Sequence, residues 1–343
     1  DIDLGTASLK YKSFFAGLTD TENFKVNGGQ GDDGQVLTST GSGVAWEDAA
    51  GGGPTFKTFG TDSIMVGDNA TGTIDAANYN TGLGVDIFAD LTTGDNNTAV
   101  GYSSLPDLTT GSNNTGVGYT ALFKNTTASN NTSVGYDTLF DNTTGHSNTA
   151  IGVSALANNT TALGNTAVGY QSLLTATTAT ENTAVGYQAG VAITTGSGNN
   201  LFGQQSGDAI TTGANNVCFG SFSMDLTAGV TGSANVTVGN STMRQMTTGH
   251  SNSGLGNGVF VDNTTGILNT AMGSTAQANT TTGTRNTAVG AETLNTNTTG
   301  EQNTAVGVSA LTSSTTVSGN TGVGFQAGQA VTTGGGTTAV GSE

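Results

Sequence analysis

Histidine, cysteine and paired carboxylates carry most protein chemistry, and in this chain they are few and scattered. There are two histidines, His146 and His250, each placed just after a TTG phrase, and one cysteine, Cys218. A lone cysteine leaves no intrachain disulfide and no thiolate metal cluster. With Cys218 sitting where small apolar residues stand elsewhere, neither a Ser-His-Asp nor a Cys-His site is supported. Two carboxylate pairs, Asp137 with Asp141 and Glu292 with Glu301, have a spacing that could suit glycan hydrolysis. No neighbouring segment reinforces either pair, so they are expected to be a solvated acidic surface. The G-x-G-x-x-G loop is absent from any strand-to-helix context, and so is the calcium-binding G-G-x-G-x-D nonapeptide. The chain therefore reads as a non-enzyme that uses no cofactor.

The residues that do recur are of another kind. The phrase NTAVGYQ occurs at Asn165 and again at Asn182, and its variants run through most of the 343 residues. The glycine ending each phrase recurs from Gly67 to Gly341 at intervals of 17 residues, with one interval of 19 between Gly220 and Gly239. The two extra residues lie within about Asp225 to Thr231. His146 and His250 thus occupy equivalent turns six repeats apart, too far to share a metal.

Each repeat position has its own rule. The residue before the anchor glycine is apolar in every copy, as at Val100, Val117 and Val134 before Gly101, Gly118 and Gly135. Four residues before the anchor stands asparagine in every copy but the first and last, as at Asn97, Asn114, Asn131 and Asn148; four after it leucine, methionine or phenylalanine is usual, as at Leu105, Leu122, Met224 and Phe260. A TTG turn ends seven residues before most anchors. Seventeen residues are too few for two helices, and glycine with β-branched residues disfavours one.

The period predicts an all-β parallel β-roll or β-solenoid, each repeat a coil of two short strands and two turns stacked about 4.8 Å from the last. Val100 and its equivalents are expected to form an inward apolar ladder, with Leu105 closing a thin core. The asparagines are expected to form an amide ladder, to occupy a left-handed bend, or both. The Ala99/Gly101 side looks bare enough for another backbone to approach. Because so thin a core gains from neighbours, a homotrimer follows as an expectation.

Composition narrows the partners. Glycine occurs 55 times, charged residues make up 9%, and the net charge is −17. Only Lys124, Arg244 and Arg285 are cationic beyond residue 60, so nucleic acid is not an expected partner. No apolar run is long enough to insert in a membrane as a helix. The start at Asp1 and the stop within a repeat suggest a piece of a longer polypeptide. Residues 1–53 lack the period and read as a small β-rich neck, with strands in SLKYKSFF and QVLTST, Trp46 as its buried anchor, and a Gly51-Gly52-Gly53-Pro54 hinge. Residues 54–343 form the repetitive part.

The phrase N-T-A-V-G-Y-x-A-L resembles the NSVAIG-type repeat of trimeric autotransporter adhesin heads, over residues 63–341, with a longer period here. That resemblance implies a homotrimeric left-handed parallel β-roll. The stretch GDDGQVLTSTGSGVAWEDAAGGG, residues 31–53, resembles a segment of bacteriophage tail-fibre and related virion proteins. Together they imply a virion-surface fibre that spaces or presents host attachment, with other fibre proteins and a host-surface glycan or protein as partners. A bacterial trimeric surface adhesin head is the alternative.

Two surface patterns remain. Tyr102, Tyr119, Tyr136, Tyr170 and Tyr187 all follow an anchor glycine, with Val153 interrupting the row. They are either a ladder at a coil edge or between subunits, or a docking stripe for cell-surface sugars. Thr98, Thr115, Thr132, Thr149, Thr166 and Thr183 recur once per coil, and such threonine arrays resemble those of ice-binding solenoids.

Overall fold

The computed structural model describes residues 35–39, 44–48, 56–59, 63–66, 76–225 and 229–342. The chain divides into two compact units, Asp1–Phe56 and Lys57–Glu343. In the first, strands β1 (Gln35–Ser39) and β2 (Val44–Asp48) form an antiparallel pair in which Leu37 faces Trp46. SLKYKSFF, the Gly51–Pro54 segment and the side chain of Trp46 lie outside the described residues.

The second unit is a parallel β-solenoid. From Ser63–Val66 to Thr338–Val340, successive strands pair in parallel register, Thr98 with Thr115, Ala99 with Gly116 and Val100 with Val117, and so on along the stack. At about 4.8 Å per strand, its sixteen steps span roughly 77 Å. The register shifts once, where Val217 pairs with Val236. Gly207 still donates to the carbonyl of Ser223 while Thr211 donates to that of Val230, so the extra residues fall between Met224 and Val230.

Each coil holds one strand of three residues, not two strands. Thr-Ala-Val supplies the β-branched residues that suit extended backbone, and the anchor glycine ends it at a φ that other residues avoid (+143° at Gly118). A Cβ on Gly118 would lie 2.1 Å from the carbonyl oxygen of Gly135, so the next coil sits where a side chain would be. The backbone that approaches the bare glycine is thus this chain's own. After the anchor the chain turns repeatedly, because the second and fourth residues are left-handed, as at Asp137 (φ 51°) and Leu139 (φ 50°). These turns still stack: Leu139 donates to the carbonyl of Ala155 at 3.1 Å, which offsets the cost of the left-handed backbone.

The core is the inside of the coil. Strand side chains alternate, and the middle residue points in: Ala99, Ala150, Ala167 and Ala184 are fully buried beside Leu105, Leu122, Leu139 and Leu156. The valines face the other way. Val100, Val117 and Val134 are half-buried on the outer face and Ile151 is 40% exposed, which corrects the expectation that they fill the core. Space decides the matter. A Cβ added at Gly116 would already meet Ser104 Oγ at 2.6 Å and Leu105 Cδ1 at 3.3 Å, leaving no room for a β-branched side chain.

Candidate docking face

The asparagine column fixes the strand from inside. Asn131 is buried; its Oδ1 accepts the backbone N–H of Asn148 at 2.9 Å, and its Nδ2 donates to the carbonyl of Gly145 at 2.9 Å. Asn97, Asn114 and Asn148 repeat the pattern, each carrying its neighbour's amide. The left-handed position is the residue before each of them, as at Asn96 (φ 59°), Asn113 (φ 60°) and Asn130 (φ 62°). The column is an amide ladder, and the bend belongs to its neighbour.

A second ladder was not read from the sequence. Asn142 Nδ2 donates to Asn125 Oδ1 at 3.0 Å, and Asn159 Nδ2 to Asn142 Oδ1 at 2.7 Å, all three buried. The signal was the asparagine before some of the Thr-Thr pairs, as at Asn125, Asn142 and Asn159, where other coils carry an apolar residue such as Leu108 or Ile193. Those Asn-Thr-Thr triplets match a glycosylation acceptor in sequence, yet their amides are sealed in the core. The first threonine of such a pair also ties one coil to the next, as Thr109 Oγ1 donates to the carbonyl of Thr126 at 3.0 Å.

With the middle strand residue inside, the first and third point out, joined by the residue after the anchor. Thr98, Val100 and Tyr102 therefore lie side by side on one face, repeated in each coil. The five tyrosines are 43–51% exposed. Tyr102 stacks on Tyr119 with centroids 5.2 Å apart, Tyr119 on Tyr136 at 5.3 Å, and Tyr170 on Tyr187 at 5.3 Å, all within 14° of parallel. Ring faces are thus spent on each other along the stack, and edges are left for solvent. Sugar stacking, which needs a free ring face, is confined to the ends of each run. Val153, 42% exposed, continues the stripe between the two runs.

No protein-family model matches the chain, and neither a curated protein nor a solved structure shows detectable similarity to it.

The titratable residues are engaged separately. His146 and His250 are exposed, each Nδ1 lying 3.3 Å from the hydroxyl of the next serine. Asp137 accepts from the Thr120 hydroxyl, whereas Asp141 pairs with Lys124 at 2.7 Å beside the stacked Phe123 and Phe140. Glu292 accepts from Ser309 Oγ at 3.4 Å, while the backbone N–H of Glu301 donates to Ser318 Oγ at 2.9 Å. Burial pushes the Cys218 thiol up to about 12, in the inward slot between Leu201 and Thr237. Burial and then the charges of Asp90 and Asp86 push the Asp107 carboxyl up. Among the described residues no three or more His, Cys, Asp or Glu gather to hold a metal, and no helix is long and apolar enough to cross a membrane.

The fifth side chain after the anchor forms an apolar column, as at Phe123, Phe140 and Val191, until the shifted coil. There it becomes Asp208, Asp225 and Arg244. Arg244 holds Asp225 through Nε at 2.9 Å and Nη2 at 3.3 Å, while no cation pairs with Asp208, whose side-chain partner is Gln205 at 3.2 Å. Burial, reinforced by Asp225, pushes the Asp208 carboxyl up to about 6.

Proposed function

We propose that the protein is the structural shaft of a virion-surface fibre, built as a homotrimer, that spaces or presents the elements that attach to a host cell. The observation that carries this reading is the outer face of the ladder. Thr98, Val100 and Tyr102 repeat as an apolar, charge-free stripe over coil after coil, a surface that calls for a companion in a chain of net charge −17. The unbroken parallel stack gives stiffness, and three identical copies acting together give avidity. The resemblance of residues 31–53 to a virion-protein segment supports a tail or appendage as the chain's location.

Antibodies against the purified chain provide the test. Labelling of appendages on virus particles, and loss of attachment when free chain competes, are the expected results; labelling of a bacterial envelope instead moves the protein to the adhesin class. The outward threonine column also favours a second reading, in which a monomeric solenoid lays ordered hydroxyls and methyls against ice. Thermal hysteresis in a solution of the purified chain would establish that reading in place of the first.

A further inference from the structure

Over the sixteen coils from Thr81 to Ser342, three outward positions repeat: the first and third strand residues and the one after the anchor glycine. None of them carries a charge, in a chain with 24 acidic and 7 basic side chains. The acids stand on the turns instead, as at Asp90, Asp107 and Asp141 after the strand, and Asp95, Glu181 and Glu301 before it.

We propose that this face is covered by the same face of further copies of the chain, parallel and in register, so that each coil lies beside its own equivalent. The inference rests on the self-association just proposed and names its surface and direction. Three observations select a second copy as the occupant. Like-charged chains repel wherever acids meet; this strip and the threonine ridge of the TTG turns (Thr93, Thr110, Thr127 and their equivalents) are both uncharged throughout, and of the two this strip carries the exposed aromatic and aliphatic side chains that a partner would bury. The strip repeats every coil, about 4.8 Å, and a partner that fills it throughout must have the same repeat, as a second copy has. Its extent is sufficient: about 72 Å of ladder by about 13 Å, the four steps from Thr98 to Tyr102, is on the order of 1,000 Å² per copy, against about 800 Å² per partner in a stable complex.

Direction follows from the residue after the anchor glycine. Between Val85 and Tyr187 it is apolar in every coil, whereas at Gln204, Ser221, Asn240, Asn257 and Ser274 it is polar. A parallel, in-register arrangement lays tyrosine coils beside tyrosine coils. Ala291, Val308 and Phe325 are apolar again, so a fully overlapped antiparallel arrangement would match Tyr102, Tyr119 and Tyr136 with apolar residues but bury the rings of Tyr170 and Tyr187 against the amides of Asn257 and Asn240.

The test uses the full chain with Cys218→Ala, the residue found at the same inward slot of other coils, so that introduced thiols are unique. Val134→Glu, facing outward, is expected to reduce the native mass by sedimentation to that of one chain with the circular dichroism retained, and Thr127→Glu, on an exposed turn away from the face, to leave it unchanged. A Val117→Thr, Val134→Thr double substitution keeps β-branched residues in the strand and is expected to raise the dissociation constant at least tenfold. Spin labels on Thr110→Cys are expected within about 40 Å of each other across copies; antiparallel copies would hold them about 50 Å apart along the axis alone. An assembled parent whose mass survives both face variants, or whose labels are far apart, overturns the inference and leaves self-association standing. A parent that is already monomeric overturns both.

Discussion

Asn114 Oδ1 accepts the backbone N–H of Asn131 at 3.1 Å, joining one coil to the next through a side chain fully removed from solvent. The contact repeats along the stack, so a column of amides, more than the apolar core, fixes the axial register. The outer face inherits its regularity from that column.

Replacing one member should therefore be costly. In Asn131→Ala the N–H of Asn148 loses its partner in the interior and the carbonyl of Gly145 keeps only Asn142 Nδ2, which should destabilise the solenoid by about 2–3 kcal/mol. Asn130→Ala, at the exposed left-handed position beside it, should cost about 1 kcal/mol. Chemical denaturation of both variants checks the order; equal losses would remove the amide ladder from its structural role.

Two glycines separate close approach from left-handed backbone. Gly118→Ala puts a methyl group 2.1 Å from the Gly135 carbonyl oxygen and should prevent proper stacking. Gly258 has φ +63° but nothing nearer than Thr275 Cγ2 at 3.5 Å, and serine, threonine, aspartate and glutamine hold its equivalent position elsewhere. Gly258→Ala should cost only about 1 kcal/mol. Soluble yield and melting temperature distinguish the two.

The solenoid, its period, the place of the register shift and the leucine core were legible because each rests on a rule repeated many times. The face of the valines was not. Sequence reasoning put the larger apolar residue inside, but Leu105 and its equivalents already fill most coils and small residues such as Ala99 stand opposite them, while Leu201 enters where Gly190 and Gly207 replace the leucine. The second strand failed for a related reason: left-handed Asp137 and Leu139 carry no sequence signature, since their conformation is imposed by the coils above and below. The stripe of Tyr102, Tyr119, Tyr136, Tyr170 and Tyr187 was visible as a row, whereas the stacking that occupies its ring faces needed the structure.

The shifted coil should be sensitive to acid in an unusual direction. The Asp208 carboxyl is pushed up to about 6 by burial and by Asp225, above its ordinary value near 4. Between those values the folded chain keeps a proton that the unfolded chain has released, so stability should fall as pH rises from about 4 through about 6. Asp208→Asn should flatten that part of the stability profile, measured by denaturation across pH 4–7. A slope unchanged by the substitution would assign it to other groups.

Within the aromatic row, Tyr119 stacks on both neighbours and Tyr187 on one. Tyr119→Ala should lose about 1–2 kcal/mol and Tyr187→Ala about half of that. If a Tyr119→Ala, Tyr136→Ala chain keeps its melting temperature and native mass but loses cell attachment, the row is a docking stripe; if its assembly collapses, the row lies between copies.

The central claim is that identical chains cover one another's outer faces, and the native mass of the full chain by sedimentation equilibrium tests it most directly. The account predicts a stable species of three chains, persisting on dilution. A single chain at all concentrations would contradict it, and would leave the threonine and tyrosine columns facing water.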